Sequence, residues 1–118
     1  MMSHEKKYRW IKIATTIDQL IFTENNLTEI DIEGKKICLA KTTAGLKACS
    51  SKCPHAGGKL SEGKLDKKEN IVCCVHHYSF SLAHGRDTLG EGYFLKIYPV
   101  RESEEGIFVG IEEMTNKV

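Results

Sequence analysis

Short segments that alternate β-branched and polar residues run through most of this 118-residue chain, and they constrain its fold more than any other feature. Near the start, Trp10, Lys12 and Ala14 fall on one face of an extended segment, while Ile11 and Ile13 fall on the other. A period of two residues is the pattern of a half-buried strand. The segment therefore predicts a β-strand.

The same pattern recurs along the chain. LTEIDIEGKKICLAKT (27–42) predicts a hairpin that turns at Glu33-Gly34-Lys35. Further strands are predicted at GLKACS, NIVC and YSFSL, and a final pair at YFLKIYPV and GIFVGIEE. Apart from a short turn at TIDQLI, no stretch has a helical period. The sequence predicts an all-β fold in a single domain.

Charge and hydropathy exclude several functional classes. The 17 Lys and Arg residues nearly balance the 16 Asp and Glu residues, for a formal charge of +1, whereas nucleic-acid binders are usually strongly basic. The N-terminal MMSHEKKYRW has no apolar core of a signal peptide, and no run approaches the roughly 18 apolar residues of a membrane span. We expect a soluble, cytoplasmic protein that binds neither nucleic acid nor membrane.

Five cysteines are an odd set in a chain without a secretory signal. This argues against a disulfide framework and favours metal binding or buried thiols. Cys38 and Cys49 lie on predicted strands, where we expect them to act as small buried apolar residues.

The remaining cysteines stand beside histidines in two clusters. CPHAGG contains Cys53 and His55, and CCVHHY contains two overlapping C-x-x-H pairs, 73/76 and 74/77. One Cys and one His from each cluster would give two thiolates and two imidazoles, a set suited to iron-sulfur clusters or zinc. Spacing within the second cluster leaves both pairs open.

Together the clusters resemble the Rieske signature, C-x-H and C-x-x-H separated by 15 to 17 residues. Residues 56–72 between His55 and Cys73 number 17, which fits, whereas a ligand at Cys74 would require 18. In the same register, Phe80 and Gly85 stand where the family has a phenylalanine and a turn glycine.

The resemblance implies one [2Fe-2S] cluster per chain held by Cys53, His55, Cys73 and His76. It also implies an antiparallel β sandwich over residues 1–118. We expect a small cluster-binding subdomain at about 49–92, inserted in a basal β domain of residues 8–48 and 93–113.

Two departures from the family occur in the second cluster, where Cys74 and His77 replace the usual Pro and Gly. A position that takes Gly often needs a positive φ, and His is among the other residues enriched there. His77 is therefore tolerable at this position.

High-potential members of the family add a disulfide between the two ligand loops and a Ser and a Tyr that donate hydrogen bonds to sulfur. The corresponding positions here are Gly58 and Val75 for the cysteines, and Tyr78 and Phe80 for the Ser and Tyr. Rieske potentials span roughly −150 to +300 mV, so we expect a value of about −100 mV.

By resemblance, the protein is a one-electron carrier between a reductase and an oxygenase or similar acceptor, with no catalytic site or small-molecule substrate of its own. A terminal oxygenase would need a further domain with mononuclear iron, and a respiratory subunit a membrane anchor. Two alternatives stay open: a small subunit docked on a larger oxidoreductase such as a nitrite reductase, and a structural zinc site without redox activity.

Overall fold

Three antiparallel sheets make up the architecture of the computed structural model, which describes residues 7–55, 57–75 and 77–113. The strands are β1 (Tyr8–Ala14), β2 (Leu27–Ile32), β3 (Lys35–Thr42), β4 (Gly45–Ser50), β5 (Lys64–Leu65), β6 (Ile71–Val72), β7 (Ser79–Phe80), β8 (Ile97–Tyr98), β9 (Val100–Ser103) and β10 (Gly106–Glu112). Single 3-10 turns at Ile17–Gln19 and Leu60–Glu62 are the helical elements of the described residues. The predicted all-β fold is confirmed.

The central sheet, in the order β2-β3-β4-β8, is covered on both faces. Ile37 and Leu39 of β3 pack into one core with residues of β10, while Cys38 and Ala40 pack into a second core on the opposite face. A strand buried on both faces has no polar side to expose, so its sequence is continuously apolar. This explains why ICLA (37–40) interrupts the alternation of its neighbours.

An outer sheet, β1-β10-β9, covers the first face. Ile11 and Ile13 pack against the core between the two sheets, on a common face as predicted. The register between β1 and β10 shifts between Lys12 and Ala14, which is the signature of a β-bulge. The bulge explains why Ala14 also points inward and is only 7% exposed, although simple alternation placed it with Trp10.

The predicted final pair of strands is wrong in its first member. Ile97–Tyr98 (β8) pairs with β4 in the central sheet, and it is Val100–Ser103 (β9) that pairs with β10. Pro99 lies between the two short strands and has no N–H to continue a ladder. Its carbonyl accepts from the amide of Gly110 at 2.9 Å, so the chain changes sheets at this residue.

The third sheet, β5-β6-β7, consists of two-residue strands and lies over the second face of the central sheet. The shared core contains Leu27, Cys38 and Cys49 from below and Ile71 and Phe80 from above. Cys38 and Cys49 form a cross-strand pair with no exposed surface, which confirms that they are buried. The small third sheet, packed on the central sheet through this core, supports the ligand loops.

The proposed division at about residues 49 and 92 remains a prediction, although β4 continues to Ser50. No helix in the described ranges is long and apolar enough to cross a membrane.

Candidate metal centre

The first ligand loop, residues 51–59, is closed by its own backbone. The amide of Cys53 donates to the carbonyl of Gly58 at 2.8 Å, and the amide of Gly57 donates back to the carbonyl of Cys53 at 2.8 Å. Gly57 has φ +75°, a conformation that a residue with Cβ adopts only under strain. The glycine therefore lets the chain turn tightly after Cys53-Pro54-His55.

The second ligand loop, residues 73–78, is closed in a similar way. The amide of Cys73 donates to the carbonyl of Tyr78 at 2.7 Å, and the amide of Val75 lies 3.4 Å from the Cys73 sulfur, to which it donates. His77 has φ +59°, a conformation that glycine adopts readily and histidine tolerates, so the residue fits a position where the family usually carries glycine. The loop thus keeps the expected turn despite the substituted residue.

Cys53 and Cys73 lie together beneath the two loops. Their exposed fractions are 1% and 0%, and both belong to the core beneath the loops, where the two thiols interact. Burial, with a smaller contribution from the neighbouring Cys53 thiol, raises the pKa of Cys73 to about 11. Two thiolates side by side at this buried position require a cationic partner, so the donor set fits a metal centre.

His55 forms an aromatic cluster with Tyr78 and Tyr93. Its imidazole stacks on the Tyr78 ring with centroids 3.7 Å apart and planes at 21°, and the edge contact with Tyr93 has centroids 5.0 Å apart. The Nδ1 atom of His55 is buried. The ring plane of this predicted ligand is therefore set by one stacked and one edge contact.

The fourth predicted ligand, His76, lies outside the described residues. The structure therefore brings together two of the four predicted ligands, Cys53 and Cys73, and orients a third, His55. Among the residues it describes, no group of three or more His, Cys, Asp or Glu side chains is arranged to hold a metal ion.

The residues that support the aromatic cluster were not predictable from local patterns in the sequence. The Tyr78 hydroxyl donates to a carboxylate oxygen of Glu91 at 2.6 Å, and this bond raises the pKa of Tyr78 to about 12. Tyr78 also meets Tyr93 edge to face, with centroids 5.7 Å apart. A tyrosine next to a ligand loop was the available signal, but only the fold brings Glu91 and Tyr93 to it.

Asp87 organises the third loop, which carries Glu91 and Tyr93. Its carboxylate is nearly buried and accepts from the amides of Glu91 and Tyr93, each at 2.8 Å. These bonds lower the pKa of Asp87 below its ordinary value, and the bond from the Glu91 amide contributes most. Asp87, the first residue of DTLGEGY, thus holds the loop in place through hydrogen bonds to its backbone.

The alternative pair of the second cluster lies differently. Cys74 and His77 are both exposed, in contrast to buried Cys73. They line an open cavity of about 240 Å³ beside Glu62 and Lys64. Cys73, and not Cys74, is therefore the cysteine of the second cluster that lies beside Cys53.

The two ligand loops touch at Gly58 and Val75. A Cβ built at Gly58 would lie 2.9 Å from Val75 Cγ2, 3.3 Å from Cys73 Sγ and 3.6 Å from Val75 Cβ. The glycine therefore lets the loops approach each other.

We expect the double variant Gly58→Cys/Val75→Cys to form a disulfide between the loops. The Cβ separation of 3.6 Å is within the range of about 3.5–4.5 Å that disulfides require. Free-thiol counting and intact mass after aerobic purification should show two thiols fewer than in the reduced variant. The single variant Gly58→Cys should be less stable because Val75 blocks its Cβ, and unchanged thiol counts in the double variant would contradict the geometry.

Comparison with known proteins identifies the family. The family model of the Rieske [2Fe-2S] domain matches residues 9–92. The chain is 27% identical over 94 residues to the ferredoxin component of a naphthalene 1,2-dioxygenase system from Pseudomonas putida, covering 79% of this chain and 86% of that protein.

Two solved structures share the fold. The ferredoxin of carbazole 1,9a-dioxygenase from Nocardioides aromaticivorans IC177 aligns with a TM-score of 0.71 and 23% identity, over 85% of this chain and 95% of that one. A protein described as the small subunit of an NADH-dependent nitrite reductase from Mycobacterium tuberculosis aligns with a TM-score of 0.74 and 19% identity, over 94% and 100%.

The chain belongs to the Rieske [2Fe-2S] domain family, and its cofactor is accordingly a [2Fe-2S] cluster. The buried thiol pair and the oriented imidazole fit that group by their donor chemistry. The predicted family, fold and cofactor are confirmed, and the structural zinc site is thereby disfavoured.

Proposed function

We propose that this protein is a Rieske-type ferredoxin, a one-electron carrier that accepts an electron from a reductase and passes it to an oxygenase or similar acceptor. The relatives named as ferredoxins of dioxygenase systems are covered over 86% and 95% of their lengths, so the match includes nearly all of each carrier. The juxtaposed, buried thiols of Cys53 and Cys73 are the observation that carries the proposal, because they retain the sulfur half of the ligand set.

We assign Cys53 and Cys73 to one iron and His55 and His76 to the other. The cluster, when bound, supplies reversible one-electron transfer, and neutral imidazoles in place of two thiolates reduce its negative charge and raise its potential. The chain contributes two closed loops, a covered base of apolar side chains, and a stacked ring that fixes the plane of His55. We propose that it has no catalytic site of its own and works in the cytoplasm.

Visible absorption tests the carrier function directly. The purified protein should be red-brown, bleach on addition of dithionite with one electron taken up per chain, and recover in air. A protein that contains iron but does not take up and release one electron reversibly would contradict the proposal. So would a colourless protein with one zinc per chain.

The midpoint potential should lie near the low end of the Rieske range, at about −100 mV. Gly58 and Val75 replace the disulfide, and the Tyr78 hydroxyl is held by Glu91 rather than by a ligand sulfur. Fewer hydrogen bonds to sulfur leave the reduced state less stabilised. Dye-mediated redox titration measures this value, and a midpoint above about +100 mV would contradict it.

Removal of the Tyr78 ring should shorten the lifetime of the bound cluster. An aromatic contact is worth about 0.5–1.5 kcal/mol, so Tyr78→Ala should release the cluster about 2-fold to 10-fold faster. Tyr78→Phe is the matched control because it retains the stacked ring and removes only the bond to Glu91. Decay of visible absorbance at raised temperature gives both rates, and equal rates for the two variants would show that the ring on His55 is unimportant.

The alternative function is that of a subunit permanently docked on a larger oxidoreductase. The structural similarity to a nitrite reductase small subunit keeps this alternative open, although it shows only a shared fold. Retention of Cys53, His55, Cys73 and His76 favours a protein that holds its own cluster. Affinity purification from the native host distinguishes the two functions. A stoichiometric large subunit that survives high salt would favour the docked subunit.

A further inference from the structure

A groove beside His55 combines an exposed aromatic ring with positive charge. It encloses about 420 Å³ and is lined in part by Lys52, Pro54, His55, Phe94 and Lys96. The Phe94 side chain is 61% exposed, although large apolar side chains are usually buried. An exposed ring in a groove next to a redox ligand is a feature of a contact surface.

Basic side chains lie along this groove. The Arg86 guanidinium lies 5.7 Å from the Phe94 ring centre, and Lys96 lines the groove with its ammonium 5.8 Å from the centre of the Tyr98 ring. Lys52 runs along the first ligand loop, since a Cβ at Gly57 would lie 3.6 Å from its Cε atom. The end of the Lys52 side chain therefore lies near Gly57, which is two residues after His55.

The nearby acidic groups do not neutralise this rim. Glu112 is 3.5 Å from Lys96, but that pair is solvent-exposed and contributes little attraction. Glu91 is held by Tyr78, and Asp87 is nearly buried and bonded to backbone amides. Within the part of the chain that the structure describes, neither Lys52 nor Arg86 forms an ion pair.

We propose that this groove is the docking surface for an acidic patch on a redox partner protein, with Phe94 as the apolar anchor and Lys52, Arg86 and Lys96 as the charged rim. The inference rests on the proposed carrier function and specifies the chemistry of the partner. Opposite charges around an aromatic contact accelerate encounter and fix orientation. Docking here places the partner against the side of the protein on which His55 lies.

Charged small-molecule oxidants test the surface without a known partner. Holoprotein reduced with dithionite and freed of excess reductant transfers one electron to anionic ferricyanide, giving ferrocyanide, or to cationic tris(phenanthroline)cobalt(III), giving the cobalt(II) complex. Stopped-flow absorbance at low ionic strength gives both rates. Lys52→Glu should lower the ferricyanide rate about 3-fold to 10-fold and raise the cobalt rate, because it reverses charge at the site of transfer.

Lys67→Glu is the matched control because it makes the same change in net charge at a distant turn. The turn between β5 and β6 lies beside the β3–β4 turn, since the Thr43 amide donates to Glu69 at 2.9 Å. That end of β4 is opposite the end that leads into the first ligand loop. Lys67→Glu should change both rates by less than half as much, on a logarithmic scale, as Lys52→Glu.

A poly-glutamate peptide provides the second probe. It should slow oxidation of the wild-type holoprotein by ferricyanide, because the two anions compete for the same basic surface, and should slow the Lys52→Glu variant less. Equal effects of Lys52→Glu and Lys67→Glu in a protein with an intact cluster would overturn the docking surface and leave the carrier function standing. A protein without a reducible cluster would overturn both. A stable dimer that Phe94→Asp dissociates would assign the groove to a second copy of this chain and overturn the proposal.

Discussion

Replacement of Cys73 by serine is expected to abolish the cluster, whereas replacement of the adjacent Cys74 is expected to leave it intact. Cys73 has no exposed surface and lies against Cys53, while Cys74 is exposed. Loss of an outer partner of a ligand typically costs 10–100-fold in metal affinity, and loss of the ligand itself should cost more. Iron and sulfide content together with visible absorbance measure the outcome.

Each of the two variants is the control for the other, because they lose the same thiol one residue apart. Both should fold, which far-ultraviolet circular dichroism can verify. A colourless Cys74→Ser protein beside a coloured Cys73→Ser protein would place the ligands at Cys74 and His77, and the 17-residue register would be wrong.

Replacement of Gly85, in the turn between β7 and the third loop, by alanine is expected to cost more stability than the same replacement at Gly90. Gly85 has φ +83°, and an added Cβ would lie 2.1 Å from the carbonyl oxygen of Leu95. That carbonyl belongs to backbone already tied to Gly85, since the Leu95 amide donates to the Gly85 carbonyl at 2.8 Å. The clash adds to the left-handed strain of about 1–2 kcal/mol, for a total of about 3–5 kcal/mol.

Gly90→Ala separates the two contributions. Gly90 has φ +72°, similar to that of Gly85, but an added Cβ meets nothing within 4 Å. It should therefore cost only the strain of about 1–2 kcal/mol. Thermal unfolding of both holoproteins should show a fall in Tm of about 10–20 °C for Gly85→Ala and about 5 °C for Gly90→Ala. Equal shifts would show that Leu95 moves away without cost.

The local patterns in the sequence predicted much of the β scaffold because each depends on neighbouring residues. The turn at Glu33-Gly34 has positive φ at both residues, and the strands on either side pair as expected. The β8–β9 boundary was missed because YFLKIYPV is one largely apolar segment whose sequence does not indicate which sheet each half joins.

The site was predictable to the extent that it lies in two short motifs. Cys53 and Cys73 are 20 positions apart in the chain, and the family register brought them together before the fold was known. The contact of His55 with Tyr78 and the bond from Tyr78 to Glu91 were not predictable, because they join three separate loops. Such contacts are set by the packing of loops on the central sheet, about which spacing carries no information.

Nitrogen-hyperfine spectroscopy of the dithionite-reduced protein tests the ligand assignment most directly. Electron spin echo envelope modulation should detect two histidine nitrogens bound to one iron of a reduced [2Fe-2S] cluster, and His55→Cys and His76→Cys should each alter that signal. A cluster with sulfur ligands alone, or a signal that is unchanged by both substitutions, would contradict the account.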